Sequence, residues 1–145
     1  MMKKEYVFLL NVILLLTCIG CATPPASTNL LYQRLGGYHG LELITNDFLL
    51  LISRDKRIVD HFNETDISIF RQRLIEHLCV VAGGECDYQG ESMLNAHQGL
   101  NITQADFDVL VGHLITAMKQ NDIPMATRNA LLARLAPMYG DITYQ

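Results

Sequence analysis

The segment ESMLNAHQGLNIT, residues 91 to 103, contains one histidine, His97, a residue type suited to holding a transition metal. A neutral imidazole offers one ring nitrogen to iron, copper or zinc while a hydrogen bond fixes the other. Taken alone, a histidine between Gly90 and Gly99 is a surface loop residue. A ligand role requires the rest of the chain to build a pocket over it. His39, His61 and His113 have no stronger claim, and His77 falls on or beside the apolar stripe of its helix. The second chemistry-bearing pair is Cys79 and Cys86, separated by Gly83 and Gly84, which allow the chain to fold back. In an oxidising compartment the two are expected to form a disulfide, contributing on the order of 2.5 kcal/mol through loop closure.

The compartment is indicated by the first residues. MMKKEYVFLLNVILLLTCIGC has Lys3 and Lys4, an apolar run from Tyr6 to Leu16, and small residues before Cys21. That is the layout of an export signal, too short for a comfortable membrane span. Its ending resembles a bacterial lipobox, in which the leader is cut before a cysteine that receives lipid. Gly20 and Cys21 fit that pattern, while Cys18 stands where leucine is usual. An ordinary leader or an uncleaved anchor is the other reading. The expected organisation is a signal peptide over 1–20, a Pro/Ser/Thr tether over 21–29 and one domain over 30–145. Lipid on Cys21 would anchor the chain to the membrane at its periplasmic face. The chain has 11 basic and 15 acidic residues; losing Lys3, Lys4 and Glu5 leaves 9 and 14, a net charge of −5. With no run of like charge, that balance argues against a nucleic-acid partner.

From residue 28 onward the apolar spacing is helical almost throughout, and the fold class is all-α. A short helix stops at Gly36 and Gly37, and a longer one is expected from Leu41 to Ser53. A polar corner follows, with an apolar kernel of Ile58, Val59 and Phe62. Asp66 is placed to cap a helix that Gly83 and Gly84 end. Thr103 with Asp106 makes a capping box for the next helix, NDIP breaks it, and a last helix runs from Met125 towards Pro137.

Taken in order, LYQRLGG, Asp47-Phe48, Phe62 in the corner, AGG at 82–84, YQGESMLNAHQGLNIT and FDVLVGHLITAM resemble the truncated haemoglobins, most closely the first group. The likeness covers Leu31 to Ile142 and implies a two-over-two helical sandwich around haem b. It makes His97 the proximal iron ligand and Phe62 the ring stacked on the porphyrin. It places Phe70 and Leu74 on the distal helix, and Tyr88, Met93, Ile102 and Phe107 along the haem edge and proximal side. Arg73 either pairs with a haem propionate or is a solvated helix charge. One neutral imidazole on iron leaves a position for a diatomic gas.

This chain departs from that family on the distal side. Leu49 stands where the family has a tyrosine donor, and Leu74 where glutamine is common, so Leu49, Phe70 and Leu74 offer bound gas no hydrogen bond. His77, one turn beyond Leu74, is either a ligand or donor in the pocket or a packed histidine. The function implied is binding of oxygen, nitric oxide or carbon monoxide outside the cytoplasm. Its enzymatic form is conversion of nitric oxide and dioxygen to nitrate, which needs an external reductant. The alternatives are a gas or haem sensor or carrier, or a haem-free helical interaction lipoprotein.

Overall fold

The computed structural model describes residues 30–145; the expected leader, Cys21 and the tether lie outside the described residues. Among those described, the chain is helical and contains no strand, as the apolar spacing requires. The first helix, α1 (Leu30–Arg34), runs into the glycine pair. Gly36 adopts the left-handed region at φ 88°, and α2 (Gly37–Ser53) starts at once, earlier than the expected Leu41. The cause is local: a Cβ on Gly40 would lie 2.0 Å from the Leu35 carbonyl oxygen, so the tight reversal from α1 needs a bare residue in the first turn of α2. In the sequence the same glycines read as breakers.

The next three helices start at side-chain caps. After a 3-10 turn (Val59–Phe62), the Asp66 carboxylate accepts hydrogen bonds from the backbone N–H groups of Ser68 and Ile69 at 3.0 and 3.1 Å and opens α3 (Ile67–Ala82). Gly83, at φ 84°, closes it. Ser92 caps α4 (Met93–His97), and Thr103 and Asp106 cap α5 (Gln104–Gln120) reciprocally. The last segment carries more structure than expected. α6 (Met125–Leu135) passes into a 3-10 turn (Ala136–Met138) and then α7 (Tyr139–Ile142), because Pro137 sits in the first positions of that turn, where its missing N–H removes no bond.

The helix α2 packs on both α5 and α3, α3 meets α6, α1 rests on α2, α3 and α6, and α4 lies against α7. Leu35, Leu41, Ile44, Ile75, Met118 and Leu131 are fully buried among them. Each such side chain contributes about 1.5–3 kcal/mol by leaving water. This core fixes the relative positions of α3 and α5, between which the site opens.

Candidate functional site

A cavity of about 590 Å³ lies between α3, the segment from Tyr88 to Ile102, α5 and the end of the chain. That size suits a cofactor, since small-molecule sites run roughly 300–1,000 Å³. From α3 come Phe70, Arg73, Leu74, His77 and Leu78, the stripe that a 3.6-residue repeat puts on one helix face. Phe62 enters from the 3-10 turn, with its ring 5.5 Å from that of Phe70. Phe107 of α5 lines the other side and meets Tyr139 edge-on at 4.9 Å.

His97 lies at the last position of α4 and lines the cavity. Its Nδ1 is 2.7 Å from the Met93 carbonyl oxygen, which has no proton to give. Nδ1 therefore carries a hydrogen and donates it, which in the neutral ring places the lone pair on Nε2. This is how metal-bound histidines are fixed in tautomer and orientation. Helix geometry supplies the tie, since Met93 precedes His97 by one turn.

The loop before α4 is held mainly by side chains. The Gln89 backbone N–H donates to Glu76 Oε2 at 3.2 Å, and the Tyr88 hydroxyl donates to the Glu91 carbonyl at 2.8 Å. The Tyr88 ring meets the His77 ring edge-on at 5.3 Å. Cys79 and Cys86 are joined by a disulfide, their Cα atoms 6.0 Å apart. Glu76 also pairs with Arg73 Nη1 at 2.8 Å. Hydrogen bonds from Gln72 and Arg73 hold the Glu76 carboxyl below the ordinary glutamate value. Burial first, and then the proximity of the His97 imidazole, hold His77 below the ordinary imidazole value.

A family model for bacterial-like globins matches residues 30–144. The chain belongs to the bacterial-like globin family. Among its relatives, the group 1 truncated hemoglobin GlbN of Mycolicibacterium paratuberculosis is 30% identical over 118 residues, covering 81% of this chain and 85% of that one. The GlbN of Nostoc commune is 30% identical over 112 residues, 77% and 95% of the two chains. In fold, this globin is similar to the truncated hemoglobin of Tetrahymena pyriformis in its Fe(III) form, with TM-score 0.77 and 23% identity over 79% of this chain and 98% of that one. It is also similar to the 2/2 hemoglobin of Synechococcus sp. PCC 7002, solved in the cyanomet state with covalently attached heme, with TM-score 0.72 and 22% identity over 77% and 96%. The fold is the 2/2 globin fold.

Within this globin the structure brings Phe62, Phe70, Arg73, Leu74, His77, Tyr88, Met93, His97, Ile102 and Phe107 to one cavity. Leu49 is the exception. It packs against the core, and α2 lines the cavity with Phe48 instead, because one residue along a helix is a rotation of about 100°. Sequence reasoning also passed over His61, which lines the cavity with Nε2 3.5 Å from Asp106 Oδ2. Its position beside Phe62 was the available signal. His39 is exposed near Glu42, and His113 bonds Asp55 at 2.8 Å; neither lines the cavity.

Proposed function

We propose that this globin binds haem b through His97 and presents the opposite face of the iron to a diatomic gas. The observation that carries the reading is the Nδ1–Met93 tie, which orients a cavity-lining histidine and leaves its Nε2 as the nitrogen available to a metal. Haem, when bound, supplies iron with a position for oxygen, nitric oxide or carbon monoxide. Phe62 and Phe70 would enclose the porphyrin, and the polar ends of Arg73 and Tyr88 suit its carboxylates. Met93, Ile102 and Phe107 exclude water on the side of His97.

The cavity residues Phe48, Phe70 and Leu74 carry no hydrogen-bond donor. A donor to dioxygen in a dry pocket contributes roughly 1–3 kcal/mol. Without one, oxygen should leave about ten- to a hundredfold faster. This favours nitric oxide or carbon monoxide chemistry, or rapid exchange, over oxygen storage. Turnover of nitric oxide and dioxygen to nitrate would draw on an external electron donor. Absorption spectra of the purified ferric, ferrous and carbonyl forms test the reading: a Soret band that shifts on reduction and on carbon monoxide is expected. A chain that takes up no haem when reconstituted would overturn it.

The same proposal places the protein outside the cytoplasm, lipid-anchored through Cys21. The leader ending in Gly20-Cys21 motivates this, and a Cys79–Cys86 disulfide suits an oxidising compartment. Cys21→Ser should release the protein to the soluble fraction or leave the leader uncut; unchanged mass and membrane partitioning would count against the anchor.

A further inference from the structure

From Glu85 to Glu91 no backbone N–H or carbonyl is bonded to another backbone group, yet Tyr88, Gly90 and Glu91 form part of the cavity wall and lead directly into α4 and His97. What ties this stretch down runs to one short piece of α3: Glu76 takes the Gln89 N–H, His77 meets the Tyr88 ring, and Cys79 is bonded to Cys86. Only the last of these is covalent.

We propose that the Cys79–Cys86 bridge is a thiol–disulfide exchange site whose state sets how firmly the loop wall, and with it His97, closes the cavity. The effect on haem retention rests on the haem reading above; the release of the loop does not. The two sulfurs differ in access. Cys79 is fully buried, and a Cβ on Gly84 would lie 2.5 Å from its Sγ and 2.8 Å from the Tyr32 ring, so the chain seals that side. Cys86 is only half-buried, packed on the edge of the core between the exposed Glu85 and Asp87. The chemical class of partner is a dithiol, either on a disulfide-reducing protein or as a small molecule.

One of the partner's thiolates attacks Cys86 Sγ, the bond to Cys79 Sγ breaks, and Cys79 leaves as a thiolate that takes up a proton. The partner's second thiolate then displaces Cys86 from the mixed disulfide, and Cys86 takes up a proton in turn. Two electrons pass to the globin and the partner ends as a disulfide. The loop's remaining ties to α3 are the Gln89–Glu76 hydrogen bond and the Tyr88–His77 ring contact, either of which can open without breaking a covalent bond.

The experiment uses the full-length protein with dithiothreitol as the dithiol, thiol counting to establish the redox state, and two readouts. Hydrogen exchange across residues 85–92 should accelerate roughly tenfold or more on reduction, the scale of releasing a short closed loop, while α2 and α5 are unchanged. Haem transfer to an excess of apomyoglobin should accelerate with it. Cys86→Ser should match the reduced protein with or without dithiothreitol. Unchanged loop exchange after full reduction, or reactive thiols mapped to both Cys79 and Cys86 in the protein isolated under air, would overturn the proposal. Faster loop exchange with unchanged haem transfer would overturn the link to His97. A chain that binds no haem in either state counts against the haem reading alone, and loop exchange still decides for or against the bridge as a latch.

Discussion

The two facing walls of the cavity are held by different forces. On one side α3 presents Phe70, Leu74 and His77 from a sixteen-residue helix whose backbone bonds are internal and whose start is capped by Asp66. On the other, Tyr88, Met93, His97 and Ile102 are carried by a loop and a five-residue helix. That side is fixed by the disulfide, the Glu76–Gln89 bond, the Ser92 cap and a clamp from the chain end, where the Tyr144 N–H donates to the Ile102 carbonyl at 2.9 Å. The metal-binding candidate is on the second wall. A helix that short has no stability of its own in water. The position of His97 therefore depends on a few side-chain ties, whereas the α3 wall is set by helix formation and core packing. Substitutions on α3 should change the chemistry of the pocket; substitutions on the loop should change whether the pocket holds its cofactor.

The largest expected difference is on the α3 wall. Leu74→Gln adds a donor beside Phe48 and Phe70, which have none, and should slow oxygen release about ten- to a hundredfold in stopped-flow dissociation, the value of one hydrogen bond in a dry site. An unchanged rate would mean that another side chain, His77 or Arg73, already serves the gas. On the loop wall, Ser92→Ala removes the cap that accepts from the Asn95 N–H at 3.2 Å. It should cost about 1 kcal/mol locally and raise haem loss about fivefold, with oxygen release from the haem that remains nearly unaltered.

The next effect depends on pH. Glu76 is held below its ordinary value of 4.5 by Gln72 and Arg73, so the folded state favours its charged form. Its contribution is present above that value and is lost as pH falls through the lower, folded value. Thermal melts should place Glu76→Gln below wild type at pH 7, and the gap should close under acid conditions. A gap that is constant with pH would assign the effect to packing. Leu49→Tyr should matter least, changing oxygen release by less than Leu74→Gln does, since Leu49 packs on the core beside Phe48. A larger effect from Leu49→Tyr would reverse that assignment.

The same contrast governs what could be read from the sequence. The caps at Asp66 and Thr103–Asp106 are short-range chemistry, fully written in neighbouring residues, and the structure has both. The α3 stripe follows from helical period. His97 was legible only through the ordered series of family motifs, because its own thirteen residues would suit any loop histidine. The start of α2 at Gly37 was hidden because it depends on how closely α1 approaches Gly40. Leu49 and Phe48 are adjacent in sequence, and which of them faces the cavity is set by the rotation of α2 on its neighbours. His61 reaches the cavity because the chain tightens into a 3-10 turn and Asp106, distant in sequence, comes within 3.5 Å.

The central claim is that His97 Nε2 holds the iron, and it is tested most directly by removing the imidazole and returning it in solution. His97→Gly should lose the haem spectrum of the wild type or hold haem only loosely, and millimolar free imidazole should restore a Soret band close to the wild-type position. His39→Ala and His113→Ala should keep that spectrum without any addition. Retention of the wild-type spectrum and haem stoichiometry by His97→Gly, with no response to imidazole, would contradict the account.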